Sequence, residues 1–402
     1  MTKNTTPSTK SMAAMNAFYP MVVITGFIQL LVPSTIHMIM KHFHLKAGEV
    51  AILPLVYFSG MMIIAFVITH LIKKFSVKQL MISGAIIVSG GLLAVSQSHI
   101  FILFALLFFL IGFGNGVMIM LPGIYATNLY SEKSAQIQSV IFSFLALGFV
   151  IGPIFPGIIS YLDIPWWWSF AFPGLLIIPA LLPIILTVHE PIDKAEKLTW
   201  HIVKEIISFD KRFFFSIVIA LIISAGSATG FLTWLITFLE ENRGTPLGTA
   251  HVILATMGVA AVLGRLIWAK VAPKITVFRT LIILTPISAI LVFLAPLSQL
   301  VSINIIVFFV AMIFISGMNP LFLSAAAIYP KSHSSVTYTI LFISMSIGGI
   351  LIPAGIGQVF QYAGPEVGMS SISLLFIIIL IMLLFIKKEI PISEHIHRNP
   401  MP

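Results

Sequence analysis

The sequence predicts an all-α membrane protein: twelve transmembrane helices arranged as two pseudo-symmetric six-helix bundles. Three observations carry that fold class. Hydrophobic residues make up 59% of the 402 and charged residues 9%, with a mean hydropathy of +1.09. A soluble domain averages roughly 25% charged residues, so this composition cannot dress a water-facing surface. Apolar windows of the roughly 20 residues needed to cross a bilayer recur twelve times along the chain. The charges fall almost entirely between them. The runs are continuous rather than alternating, which excludes barrel strands. Helices then remain as the way to satisfy the backbone where there is no water.

The spans follow in order, with bounds set to within several residues by the window length. Residues 1–16, rich in Thr, Ser and Lys, lack the apolar core of a cleaved signal and read as a cytoplasmic tail. Span 1, about 17–40, holds Gln29 and, near its outer end, His37. Span 2, about 50–72, ends on His70 and the basic run Lys73-Lys74-Phe75-Ser76-Val77-Lys78. Spans 3 and 4 cover about 79–97 and 101–126. Asn115 lies in the latter between Gly114 and Gly116, small neighbours that let a ligand or helix approach. Span 5, about 136–160, carries Gly148, Gly152, Pro153, Pro156 and Gly157. Span 6, about 166–188, opens on Trp166-Trp167-Trp168, which reads as an interfacial aromatic belt.

Residues 189–212 are the longest polar stretch. Their centre, Trp200 to Ile207, has apolar residues near helical spacing and predicts a short amphipathic helix on the cytoplasmic face. This linker separates a bundle of residues 17–188 from one of residues 213–387. Span 7, about 213–239, contains Trp234 and Thr237, followed by Glu240, Glu241 and Arg243 as a solvated outer cap. Span 8, about 250–270, holds Arg265. Spans 9 and 10 cover about 277–297 and 302–328. In the latter, Asn319-Pro320 predicts a helix break that frees backbone carbonyls. Span 11, about 337–361, begins near Tyr338 and carries Gly348, Gly349 and Pro353. Span 12 covers about 369–387, and 388–402 form a second cytoplasmic tail.

An even number of spans puts both termini on one side. Placing that side in the cytoplasm puts Lys73, Lys74, Lys78, Lys204, Lys211, Arg212, Lys270, Lys274 and Arg279 inside, with Lys3, Lys10, Lys133, Lys194, Lys197, Lys331, Lys387, Lys388 and Arg398. Only Lys41, Lys46 and Arg243 are left outside. The positive-inside rule fixes that orientation in a cell (inner, cytoplasmic) membrane. The net charge of +9 is thus topology, with anionic lipid as its contact and nucleic acid excluded as a partner. There is no cysteine, which removes disulfides, thiolate metal sites and iron–sulfur clusters. No phosphate-binding Gly-Lys-Ser/Thr loop stands out, which argues against an ATP-driven pump. No metal-ligand spacing or nucleophile–base pair is found, so neither a cofactor nor an enzymatic activity is expected.

The two halves echo each other with a period of about 200 residues, too long for a solenoid. The basic run after span 2 matches Lys270 to Ile275 after span 8. Pro122 to Tyr125 at the end of span 4 matches Ala327 to Pro330 at the end of span 10. Gly148 to Gly157 matches Gly348 to Gly357. Two parallel six-span repeats suit a transporter whose site lies at the repeat interface. Small residues there allow close helix packing, and the prolines permit bends.

On these residues the chain resembles the major facilitator superfamily over nearly its whole length. The superfamily's loop signature is Gly-x-x-x-Asp-Arg-x-Gly-Arg/Lys. Its basic position survives as Lys74 and Lys274, while its Asp position is Lys73 in one half and Pro273 in the other. The span 5 run is similar to Gly-x-x-x-Gly-Pro-x-x-Gly, a pattern of antiporters, with Pro156 at its penultimate position. Leu71 to Lys78, Trp234 to Leu239, and Gly348-Gly349-Ile350 with Pro353 also resemble the fucose-permease branch. The sugar symporters of that branch use acids in spans 1 and 4; here those positions are Pro33 and Val117. The resemblance implies alternating access, with spans 1, 4, 7 and 10 around a central cavity.

Arg265 is the one Lys, Arg, Asp or Glu well inside a span. A charge there costs roughly 3 kcal/mol unless it faces a cavity or a partner. It reads either as an anion site, since the planar guanidinium can grip a carboxylate with two parallel hydrogen bonds, or as a group that snorkels to the nearby helix end. Similar transporters of oxalate and nitrate place an anion-binding Arg in span 8. Gln29, Asn115, Trp234, Asn319 and Tyr338 are further substrate candidates, or interhelical hydrogen-bonding groups. His37 and His70 are the proton-coupling candidates, because histidine titrates in the useful range. Gly148, Gly152, Pro153, Gly157, Gly348, Gly349 and Pro353 are assigned to packing and gating. The expected protein is a monomeric secondary transporter of a small organic anion or polycarboxylate, with protons as possible co-substrate. The alternatives are an exporter of drugs or amphipathic compounds, a neutral-sugar permease and, in a different class, a receptor that moves nothing.

Overall fold

The computed structural model describes residues 9–129, 134–188, 199–325 and 334–386. Twelve helices in it are long and apolar enough to cross a membrane: Met15–Phe43, Ala47–Leu71, Val77–Ser96, Phe101–Tyr125, Val140–Tyr161, Trp168–Thr187, Lys211–Asn242, Leu247–Ala272, Val277–Leu297, Val301–Leu323, Val336–Ala363 and Pro365–Phe385. These are spans 1 to 12. They match the predicted twelve, most of them running a few residues further. The matching run Ala327 to Pro330, both tails beyond residues 9 and 386, and linker residues 189–198 lie outside the described residues. The rest of the linker includes the expected amphipathic helix, Trp200–Phe209. Its Ile206 is buried while Trp200 faces out, and it packs on spans 7 and 11.

Helix pairing makes the two bundles explicit. In the first half span 2 packs on 4, 3 on 4 and 6, and 1 on 5 and 6. In the second half span 8 packs on 10, 9 on 10 and 12, and 7 on 11 and 12. Three further pairs join the halves: span 5 with span 8, span 11 with span 2, and span 1 with span 7. Every pair has its counterpart six spans on.

Glycine sets the closest of these approaches. A Cβ on Gly26 would strike the Leu145 carbonyl oxygen, and one on Gly148 the Val23 carbonyl oxygen, so spans 1 and 5 touch backbone to backbone. The same offset recurs in the second half. A Cβ on Gly226 would lie 2.5 Å from the Gly348 carbonyl oxygen, and one on Gly348 would strike that of Ile222. With little hydrophobic drive between helices in lipid, such backbone contact is what holds them together.

Two interruptions shape the site. Span 1 breaks at Leu30, so its helix is two segments, Thr9–Gln29 and Leu31–Phe43. Pro33 has no N–H to give the Gln29 carbonyl, which is the local cause of the break. Span 7 ends in a π-helical turn, Phe238–Asn242, a form that often marks functional positions. Span 10, by contrast, runs through Pro320 to Ala325 without the break expected there.

The π-turn also corrects the reading of Arg243 as solvated. Its side chain is 2% exposed. Nε donates to Asn304 Oδ1 (3.0 Å) and Nη1 to Glu366 Oε1 (2.9 Å) and Asn242 Oδ1. Nη2 donates to the carbonyls of Pro296 (2.5 Å) and Ser298 (2.9 Å). The guanidinium lies 4.8 Å from the centre of the Phe238 ring. One cation thus rivets spans 7, 9, 10 and 12 together at one end of the second bundle.

Two stability tests follow from this packing. Gly148→Val and Gly348→Val push a side chain into backbone that cannot yield, and each should cost about 1–3 kcal/mol in unfolding assays. Gly355→Ala, with nothing within 4 Å of the new atom, should be neutral or slightly stabilising. Arg243→Ala leaves the Pro296 carbonyl without this donor and removes the ties to Asn304, Ser298 and Glu366, and should lower stability by about 1–3 kcal/mol.

Candidate functional site

The two ends of the bundle differ. One end, the basic face, carries Lys73, Lys74, Lys78, Lys270, Lys274 and Arg279. The other, the opposite face, carries the short loops between spans 1 and 2, 7 and 8, and 11 and 12. Between them, at the meeting of the halves, lies a cavity of about 130 Å³, counted as room for the centre of a water molecule. That is space for several waters. It runs from Leu30, Pro33 and Phe58 in mid-bundle toward Phe142, Leu323 and Tyr338 near the basic face. Spans 1, 4, 7 and 10 contribute to its wall as expected, and so do 2, 5, 8 and 11.

The wall is chemically lopsided. The first half supplies Leu30, Pro33, Phe58, Met61, Ile119, Phe142, Leu145 and Phe149, with Gln29 as its polar side chain. The second half supplies Thr229, Arg265, Ser316, Asn319, Tyr338 and Ser346 among its apolar residues. Polar side chains are therefore concentrated in one half of the wall, and the other half is largely apolar.

Arg265 projects from span 8 across the divide. Its Nη1 donates to the Phe142 carbonyl (3.1 Å), and its guanidinium stands 5.6 Å from the centre of the Phe149 ring. Nε is buried without a hydrogen-bond partner. No ion pair involves Arg265 among the described residues. The side chain thus turns inward to the cavity, and a carbonyl and an aromatic face hold it there. Asn319 lines the same cavity from span 10. Its Oδ1 accepts from the Ser224 hydroxyl (2.7 Å), which fixes the amide orientation and leaves its N–H groups for the cavity. Thr229 donates to the Ala225 carbonyl at 2.9 Å and Ser346 to that of Phe342 at 3.0 Å. Both hydroxyl oxygens keep acceptor capacity.

Gln29, Arg265, Asn319 and Tyr338 are thus brought together on one cavity. Asn115 and Trp234 stand elsewhere. Asn115 is fully buried between spans 4 and 2, donating to the Tyr57 hydroxyl at 2.5 Å. Trp234 is fully buried between spans 7 and 11, donating to the Pro353 carbonyl at 2.9 Å and packing on Phe360. Thr237 is buried one turn beyond it. His70 is exposed at the basic end of span 2.

Around the opposite face the halves are tied by polar contacts. His37 Nε2 lies 3.1 Å from Glu240 Oε1 in the π-turn. His251 Nε2 lies 2.6 Å from the Ser34 carbonyl. The Gly48 N–H donates to Gln361 (3.0 Å), and Gln358 donates to the Gly48 carbonyl (3.2 Å). The assigned packing residues sit among these ties. A Cβ on Gly157 would meet the His251 Cβ at 2.9 Å, one on Gly152 the Phe27 carbonyl at 3.2 Å, and one on Gly349 the Phe58 ring at 2.6 Å. Pro153 and Pro353 are buried within their helices. The cavity is therefore closed toward this face.

Sequence reasoning did not single out His251. It stands near the start of span 8, where a lone histidine reads as interfacial. Nothing in the sequence marks Ser34 as its partner 217 residues away. Phe58 and Phe149 were likewise indistinguishable from other lipid-facing or core aromatics.

A bacterial homologue of the human lysosomal transporter Spinster, in an inward-facing and unoccupied conformation, superposes with a TM-score of 0.76. It is 14% identical over 95% of this chain and 98% of its own. The transporter FucP in its outward conformation gives 0.67, at 18% identity over 93% and 98%. Proteins named TsgA homolog are also similar. The one from Buchnera aphidicola subsp. Acyrthosiphon pisum is 23% identical, and the one from subsp. Schizaphis graminum 25%, each over 68% of this chain. The match covers 68% of the former's own length and 68% of the latter's. The Major Facilitator Superfamily profile matches residues 18–353, and the chain belongs to that superfamily.

Proposed function

We propose that this transporter works by alternating access and carries a small organic anion whose charged group binds Arg265. The observation that supports this reading is a guanidinium on the cavity wall with a buried, unpartnered Nε and no carboxylate paired with it among the described residues. An arginine at the centre of a membrane helix costs roughly 2.5–3.5 kcal/mol. A carbonyl and a ring offset part of that, and an incoming anion offsets more. Asn319, Tyr338 and Gln29 supply the remaining polar contacts, while Phe58, Phe142 and Phe149 receive an apolar body. One cation facing a largely apolar wall suits a carboxylate with a hydrophobic portion better than a polycarboxylate, whose further charges would lie unpaired. The mostly apolar wall is also what favours the second reading, export of neutral or cationic amphipathic compounds.

The superfamily supports transport rather than catalysis. The excess of lysine on the basic face supports a cytoplasmic-membrane protein with that face and both termini in the cytoplasm. The 189–212 segment is then a cytoplasmic linker between bundles, and the transport unit a monomer.

The test compares purified wild-type and Arg265→Gln protein in thermal shift against carboxylates, sugars and lipophilic cations. A carboxylate should raise the wild-type midpoint and lose at least about tenfold in affinity, or roughly 1.5 kcal/mol, in the variant. Equal stabilisation of both proteins by lipophilic cations, with no response to carboxylates, would hand the site to the exporter reading.

A further inference from the structure

His251 is the most tightly enclosed ionisable side chain at the junction of the halves. It is 0% exposed, on span 8 between Ser34 of span 1 and Gly157 of span 5. Both of its ring nitrogens face carbonyl oxygens. Nδ1 is 2.8 Å from the Leu247 carbonyl on its own helix, and Nε2 is 2.6 Å from the Ser34 carbonyl across the divide. A neutral imidazole has one N–H and one lone pair. In either tautomer that lone pair would point at a carbonyl oxygen within hydrogen-bond distance, which is repulsive. Turning the ring over exchanges the nitrogens and changes nothing, because both partners are acceptors. The two contacts are satisfied together by the imidazolium, which donates from both nitrogens.

We propose that His251 is a proton-binding site linking protonation to closure of the opposite face. When the halves part there, the Ser34 carbonyl leaves and the imidazole meets solvent, where it takes up or releases a proton. Closure around a neutral ring sets lone pair against lone pair; closure around the charged ring makes a bond. Acid therefore favours the closed face and alkali the open one.

The surrounding charges act in both directions. On span 1, His37 and Lys41 are the titratable neighbours; His37 is near enough to His251 for their positive charges to repel, which opposes the imidazolium. On span 7, Glu240 and Glu241 supply negative charge. Glu240 Oε1 is bound by His37, and its Oε2 is buried without a partner. Span 5 offers Gly157 at the contact. The position is also separate from the anion site. Fourteen helical steps separate His251 from Arg265, about 21 Å along span 8, so proton and substrate do not compete for one pocket. The assignment does not depend on the substrate being an anion.

The absence of native cysteine makes the test direct. Spin labels at His44→Cys and Thr249→Cys, both exposed on the opposite face and in different halves, report its opening in lipid nanodiscs. Distances are read by pulsed electron resonance at about pH 5.5 and about pH 8.5, either side of the usual histidine range. The wild-type background should move from a short to a long distance as pH rises. The closed-to-open ratio should change by up to about tenfold per pH unit, the limit for one linked proton. His251→Gln should flatten that response, and His37→Gln should keep it. His251→Lys, which keeps a charge and N–H donors on a group whose ordinary pKa lies well above both values, should stay closed at both and serves if the Gln variant fails to fold. A wild-type distance indifferent to pH, or a full response surviving in His251→Gln or His251→Lys, would overturn the proposal.

Discussion

A bilayer core offers no water to a backbone amide, a hydroxyl or a charge, and most of what distinguishes this structure answers that deficit. Helices satisfy the backbone. Buried hydroxyls such as Thr25, Thr35 and Thr285 donate to carbonyls one turn back on their own helices. Glycines replace the missing hydrophobic drive with direct backbone contact. The charges follow the same logic. Arg243 spends its donors on carbonyls, an amide and a carboxylate until it behaves as a structural pin. Arg265 has the same chemistry but a single carbonyl bond and a ring. What is left unsatisfied on Arg265 faces a cavity, and that remainder is what the proposed anion would meet.

The duplicated architecture makes the departures from symmetry informative. Gly26 with Gly148 and Gly226 with Gly348 are the same contact made twice. At the junctions between the halves the repeat is kept in shape and reversed in size. On one side Gly258 lies against the backbone of Phe149; on the other its counterpart Phe58 lies against Gly349, the counterpart of Phe149. A ring and a gap have exchanged helices across the pseudo-twofold axis, and both rings line the cavity. Arg265 and His251 have no such echo, because their counterparts are Ala65 and Ala51. Support is symmetric, and chemistry sits where the symmetry fails.

How much of this was legible in the sequence depends on whether a feature is local. The spans were readable because hydropathy is a property of consecutive residues. Gly148 and Gly348 were readable because a repeat can be aligned without knowing the fold. Arg265 stood out because an isolated cation in an apolar run has few explanations. Asn115 and Trp234 looked equally exposed to a cavity, but whether a polar group faces a cavity or a neighbour depends on a helix's rotation, and spans hydrophobic all round do not reveal it. Arg243 read as solvated because its partners come from three other segments. His251 was invisible for the same reason, since the carbonyl that gives it meaning belongs to the other half.

The break in span 1 at Leu30 bears on where the moving parts divide. Its second segment, Leu31–Phe43, belongs by position to the first repeat, yet its largest single contact is with span 7 of the second, beside contacts with spans 5 and 6 of its own bundle. It also carries Ser34 and His37, whose partners are His251 and Glu240. The seam left by gene duplication and the seam along which the molecule is bound together therefore part company inside one helix. The turn at Leu30, with its proline three residues on, sets that segment apart from the rest of span 1. Inheritance assigns it to one lobe, and its contacts, while this face is shut, are shared between both.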